Sequence, residues 1–295
     1  VERYYWDDKI EYLQKTRLLY YNDDYLEFLV KGVWKVSEPV NVVDFGCGYG
    51  FLGLKLLPLL PEGSKYTGVD KGRDLIAMAE SLFSDTPYLT EFHISDVDEF
   101  QQDAKFDIAV CHALLLHMSD PKKTLQRMKS SVKRNGLVIC FEPFWLSAMS
   151  HTYVHDVPQS EIVKIGILQK LYEFDAKANG RDGNVGIKLP VYMCEIGLIN
   201  VDCRVSDKVN HLDPRGSTSS RQALYDSLCE EGLSNVPQDE DSYVRNVTER
   251  GLSDSEAREL FRSEVLAGNN FRDRGLEVDT LTAPTMMISY GTVSK

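Results

Sequence analysis

Val42-Val43-Asp44-Phe45-Gly46-Cys47-Gly48-Tyr49-Gly50 decides the fold. A short apolar strand ends in an acid, runs through a glycine-rich turn and opens into a helix carrying Leu52, Leu54, Leu56 and Leu57. Such a turn brings backbone close to a ligand at a helix start. The pattern continues outward. Residues 66–69 read as a strand ending at Asp70, and 73–83 as a helix with Leu75, Ile76, Ala79 and Phe83 on its apolar side. Residues 92–94 form a strand leading to Ser95-Asp96, and 106–110 another. A helix over 121–132 has Pro121 in its first turn, and 137–141 is a fifth strand. Strands alternating with helices predict an α/β fold, a Rossmann-like doubly wound sheet that is mostly parallel.

The flanks differ. Residues 3–35 read as amphipathic helix, with Asn22 as an N-cap before Asp23-Asp24. They form the main part of an expected N-terminal helical cap, 1–40, before a domain over 41–295. After Glu142 the alternation loosens. Helices are expected over 158–178, over 187–197 with a break near Pro190, and through 215–270. Strands are expected over 201–205 and 284–293, which completes a sheet of seven with one antiparallel strand. The segments 143–190 and 208–283 read as helical lid insertions.

Composition narrows the function classes. The 295 residues hold 33 Lys+Arg against 45 Asp+Glu, a net charge of −12, which disfavours a nucleic acid partner. No apolar run is long enough to span a membrane. Residues 1–8 lack the apolar core of a signal peptide. None of the six cysteines forms a CxxC pair, and Cys111, Cys140 and Cys203 sit in apolar runs as small hydrophobes. A cytoplasmic setting is expected. His151 and His155 have the i, i+4 spacing of metal ligands but lack the Glu of HExxH and a third ligand, so no metal is assigned.

The glycine turn admits a dinucleotide reading, because Gly48-x-Gly50-x-x-Gly53 matches GxGxxG. Its placement is wrong: counted from Gly46, Phe51 stands where the third glycine belongs. Asp44 would repel a pyrophosphate and attract an ammonium. The ligand suggested is an amino acid joined to a nucleoside.

On these residues the sequence resembles the class I S-adenosylmethionine-dependent methyltransferases. Asp44 to Gly50 is similar to that family's first motif, and the later elements follow in order. The resemblance covers residues 40–142 tightly. It departs at Arg134-Asn135-Gly136, where the family has a proline-glycine-glycine loop. It implies S-adenosyl-L-methionine as cofactor and S-adenosyl-L-homocysteine as product. Asp44 would meet the ammonium, and the turn Gly46, Cys47, Gly48 and Tyr49 the carboxylate. Asp70 and its neighbour Lys71 would meet the ribose, and Asp96 and Val97 the adenine. His112, and Tyr21 from the cap, would lie near the sulfonium, where an aromatic face gains cation–π stabilisation. Tyr20 and Tyr4-Tyr5-Trp6 are further candidates for that cover.

His112, His117 and Glu142 follow strands four and five, on the acceptor side, and are the candidate catalytic residues. A base is needed only if the nucleophile loses a proton. Glu142 has a second reading as a binder of a polar or cationic acceptor. The expected reaction is in-line methyl transfer to a small-molecule O, N or C acceptor. Two alternatives stand beside it: an NAD-dependent oxidoreductase, and a non-catalytic S-adenosylmethionine-binding protein on the same fold. An RNA methyltransferase is disfavoured by the acidic balance. The oligomeric state is not legible.

Overall fold

The computed structural model describes residues 4–102 and 105–294. Residues 1–3, where the expected cap begins and part of the leader-free N-terminal reading falls, lie outside them, as does residue 295. Two short helices, α1 (Ile10–Thr16) and α2 (Asp23–Phe28), lead into β1 (Asn41–Phe45). The glycine turn and α3 (Phe51–Leu56) follow, then β2 (Lys65–Asp70), α4 (Arg73–Phe83) and β3 (Leu89–Ile94). The second half of the sheet starts with β4 (Phe106–His112), α5 (Pro121–Ser131) and β5 (Val132–Pro143).

The elements α6 (Trp145–Ser150), β6 (Tyr153–Val154), α7 (Gln159–Ile162), α8 (Ile165–Asn179) and α9 (Val185–Glu195) precede β7 (Leu198–Val205). Then come β8 (Asn210–Leu212), α10 (Thr218–Glu230), α11 (Glu240–Glu249), α12 (Asp254–Arg274), β9 (Thr280–Thr282) and β10 (Met286–Val293).

The seven-stranded sheet has the order β3-β2-β1-β4-β5-β10-β7. Its first five strands pair in parallel, and β10 is antiparallel to both its neighbours. This is the expected doubly wound sheet with one antiparallel strand. The order reverses between β1 and β4, so their C-terminal ends open the crevice where such folds bind ligands. Both faces are covered, which explains the near-continuous apolar runs of β1 and β4. Leu26, Leu29, Leu52, Leu75 and Phe141 pack on one side of the sheet, and Leu125, Met128, Leu189 and Met193 on the other. Among the described residues no helix is long and apolar enough to cross a membrane.

Several local expectations change. Asn22 occupies the N-cap position of α2 without a side-chain cap bond. Its backbone and side-chain amides both donate to Asp207 instead, tying the N-terminal segment to the loop after β7. The helix expected over 158–178 is split at Val163-Lys164 into α7 and α8, whereas α9 runs through Pro190 unbroken. The segments expected as helical insertions also contribute β6, β8 and β9 to a second, three-stranded antiparallel sheet. Strands of two or three residues carry too little alternation to be read from sequence.

Candidate active site

The turn after β1 is built for close approach. Gly46, Gly48 and Gly50 have φ of +71°, +55° and +83°, a region costly for residues with a Cβ. Gly53 has another reason: a Cβ there would lie 2.6 Å from the Tyr66 ring. That ring matters, because the Tyr66 hydroxyl donates to Asp44 Oδ2 at 2.6 Å. The formal GxGxxG match therefore ends on a packing glycine.

Asp44 is 1% exposed, and its Oδ1 is buried with no partner. Burial raises its carboxyl to about pH 7, against the Tyr66 hydrogen bond, which lowers it. Asp44 lines a void of about 30 Å³ with Arg17, Gly46, Gly48, Tyr49 and His112, enough for one small polar group. Cys47 also lines this void. The turn's amides are largely committed: Gly46 and Cys47 donate to the Val69 carbonyl, Gly48 to Asp70 and Gly50 to the Cys47 carbonyl. They are not the free anion-binding amides expected from the sequence. Arg17, which sequence reading missed, supplies the positive charge beside the turn instead.

A cleft of about 660 Å³ opens over the ends of β1, β2 and β4. Asp70, Lys71, Asp96 and Val97 line it, as do Gly46, Gly48 and His112. Asp70 accepts the Gly48 and Gly72 amides at 3.0 and 2.8 Å, which leaves lone pairs on both oxygens. Asp96 accepts the Asp98 amide at 2.9 Å and lies 3.9 Å from Lys71 Nζ. Tyr4, Tyr5 and Trp6 roof the cleft. That roof is pinned by Asp7, whose Oδ1 accepts the amides of Asp74 and Leu75 at the start of α4.

Two expected residues lie elsewhere. Tyr21 packs behind His112 and Phe141 and is absent from the cleft walls. Glu142 is fully buried and absent from the cleft walls. Its Oε1 accepts the Leu114 and Leu115 amides at 2.8 and 2.7 Å, and its Oε2 the Leu116 amide at 3.3 Å. Burial nevertheless raises its carboxyl to about pH 7. Ala113, just before these amides, has φ +50°, a strained conformation for a residue with a Cβ. Glu142 thus holds the strained turn that carries His117, a positioning role in place of direct contact with an acceptor.

His112 is held neutral by burial, well below its ordinary titration range, and its Nε2 has no partner. His117 is lowered to about 4, first by burial and then by Arg181 and Arg17. It packs against Trp6 with ring centroids 5.1 Å apart.

A second chamber of about 370 Å³ lies beyond. Trp6, Arg17, Ala113 and His117 line both it and the cleft, so the two meet across these residues. Its outer walls come from Trp145 on α6, Tyr172 on α8, Glu231 after α10 and Thr282 on β9. No motif marked these positions, because they join only through long-range packing. Among the described residues no group of three or more His, Cys, Asp or Glu is placed to hold a metal. His151 meets Thr285 instead, Nδ1 to Oγ1 at 3.3 Å.

Residues 37–173 match the model of a family described as a methyltransferase domain. The chain is 26% identical over 136 residues to a ubiquinone biosynthesis O-methyltransferase of Hydrogenovibrio crunogenus, covering 45% of this chain and 53% of that protein. It is 27% identical over 164 residues to an uncharacterized methyltransferase of Schizosaccharomyces pombe, covering 52% and 58%. The chain spans about half the length of the curated relatives it matches. Among solved structures it resembles a SAM-dependent methyltransferase from Geobacter sulfurreducens, determined in complex with S-adenosyl-L-homocysteine. The TM-score is 0.52 at 14% identity, over 99% of this chain and 100% of that one. At that identity the likeness is one of fold.

Proposed function

We propose that the chain, whose residues 37–173 match a methyltransferase domain, is a class I methyltransferase that transfers a methyl group from S-adenosyl-L-methionine to a small-molecule O, N or C acceptor. One observation carries the reading: the cleft over the strand ends and the second chamber share Trp6, Arg17, Ala113 and His117. A donor in one and an acceptor in the other meet at that junction.

The residues fit the cofactor. The orphaned Asp44 Oδ1 suits an ammonium, because an unpaired buried carboxylate oxygen is otherwise costly. Arg17 suits the carboxylate. Asp70 can accept from ribose hydroxyls, and Asp96 from an adenine amino group, with the Val97 amide beside it. When bound, the cofactor supplies an electrophilic methyl whose leaving group is a neutral thioether. The chain's contribution is to hold both reactants in line and keep water out. Trp6 offers an aromatic face to a sulfonium. His117, neutral above about pH 4, can take a proton from an acceptor that loses one. The N-terminal cap and segments from both insertions line the second chamber, and we assign them the role of a lid. Its modest volume favours a small molecule over a nucleic acid. The six unpaired cysteines support a cytoplasmic setting.

Isothermal titration with S-adenosylhomocysteine and NADH, on wild type and Asp70→Ala, tests the cofactor. Micromolar binding of the adenosyl ligand that the substitution abolishes supports the proposal. Binding of NADH alone supports the oxidoreductase alternative and overturns it.

A further inference from the structure

We propose that Glu231 anchors the acceptor, and that the second chamber takes a compact, ring-bearing molecule whose O–H or N–H group donates to that carboxylate. The inference rests on the methyltransferase reading above and adds the acceptor's class to it.

The chamber's size comes first. At about 370 Å³ it lies near the lower end of ligand pockets, which run from roughly 300 to 1,000 Å³, so it fits a molecule of one or two rings. Its walls come second. Trp6, Tyr12 and Tyr20 from the N-terminal cap, Trp145 from α6 and Tyr172 from α8 present aromatic surface, and Met149 and Met286 line the same chamber. Flat apolar walls of this kind favour a flat ring.

The polar groups set what the ring must carry. Glu231 Oε1 accepts the Tyr20 hydroxyl at 2.7 Å, and among the described residues no donor reaches Oε2. Burial raises this carboxyl above its ordinary range, against the Tyr20 hydrogen bond and the Arg17 charge, which lower it. Thr282 is 7% exposed and lines the same chamber, and its Oγ1 is buried without a partner. The buried, unpartnered Thr282 hydroxyl is costly unless a ligand completes it, and the half-buried Glu231 keeps Oε2 open to a donor. A carboxylate accepts only, so the completing group on the ligand is a donor.

The remaining charged group sharpens the class. Arg17 also lines the chamber, but it lines the void beside Asp44 and the glycine turn as well, where the cofactor's carboxylate would neutralise it. With Arg17 so engaged, the chamber keeps one carboxyl and no spare cation. An acceptor bearing its own carboxylate meets repulsion from Glu231.

The test uses protein saturated with S-adenosylhomocysteine and three probes: catechol, benzylamine and benzoate. Binding is read by calorimetry for wild type, Glu231→Gln and Thr282→Val. Gln keeps the side-chain volume and an oxygen for the Tyr20 hydroxyl. The expected result is binding of catechol or benzylamine at least tenfold tighter than benzoate. Glu231→Gln should weaken that binding at least tenfold, and Thr282→Val severalfold. Both variants should bind S-adenosylhomocysteine within twofold of wild type. Benzoate binding as well as the other two would overturn the proposal. So would unchanged donor binding in Glu231→Gln, or no probe binding at millimolar concentration. If S-adenosylhomocysteine itself fails to bind wild type, the methyltransferase reading has failed, and this inference falls with it.

Discussion

The Tyr66 hydroxyl donates to Asp44 Oδ2 at 2.6 Å, and Asp44 Oδ1 is left buried with no partner. The carboxyl is thus half satisfied from within the fold and half open toward the void it lines with Arg17 and the glycine turn. That asymmetry is what makes it a ligand group as well as a structural one.

It gives cofactor binding a pH dependence. Asp44 titrates at about 7 in the free protein. An ammonium binds its charged form, so binding releases a proton wherever the free protein is protonated. S-adenosylhomocysteine affinity should fall by up to about tenfold per pH unit below 7. Asp44→Asn should flatten that profile and weaken binding at pH 8. Tyr66→Phe removes a bond that favours the charged form, so it should move the profile to higher pH. Calorimetry from pH 5.5 to 8.5 in buffers of differing ionisation enthalpy measures both affinity and proton release.

The free protein should be most stable on the acid side of neutrality. Asp44 and Glu142 both have folded values near 7, above their unfolded values of 3.8 and 4.5. Between those values the folded state binds more protons than the unfolded, so stability falls as pH rises toward 7. The loss is on the order of 3 kcal/mol per group. Glu256, lowered to about 2, works the other way and loses its contribution as pH falls below 4.5. Urea unfolding should therefore show a higher midpoint near pH 5 than at pH 8, and the difference should shrink in Asp44→Asn.

Glu142 and His117 should separate in their effects. Glu142→Ala strips three amides, two of them buried, of their acceptor and should destabilise the protein by about 3–5 kcal/mol, with turnover lost through misplacement of the turn. His117→Ala should leave cofactor binding within a few-fold. It should lower kcat by about 10²–10⁴ for an acceptor that must lose a proton. Thermal unfolding beside single-turnover methyl transfer distinguishes the two.

The roof over the cleft should depend on Asp7. Its carboxylate caps α4 from a segment far away in sequence. Asp7→Ala should cost about 1 kcal/mol of stability, the usual size of a lost cap. Off-rates for S-adenosylhomocysteine should rise in stopped-flow measurements, because Tyr4 and Trp6 are no longer held over the cleft.

The sheet and the cofactor side were legible because local pattern carries them. The alternation around β1, the glycines at 46, 48 and 50, and acids at the ends of β1 and β2 are all short-range signals. The acceptor side was not legible for the opposite reason. Arg17, Trp145, Glu231 and Thr282 come from four segments that meet only when the cap and both insertions pack together. Glu142 shows a subtler limit. Its position at the end of β5 suggested contact with an acceptor, but the Leu114, Leu115 and Leu116 amides, which follow the strained Ala113, claim its carboxylate for the turn next door. Tyr21 likewise has the chemistry of a sulfonium neighbour, but packing turns it behind His112.

The most direct measurement is a crystal structure with S-adenosylmethionine bound. The account predicts the cofactor's ammonium on Asp44 Oδ1 and its carboxylate on Arg17. The methyl should point between Trp6, Ala113 and His117 into the second chamber. Cofactor bound with its methyl turned away from that junction, or cofactor excluded from the cleft, would contradict it.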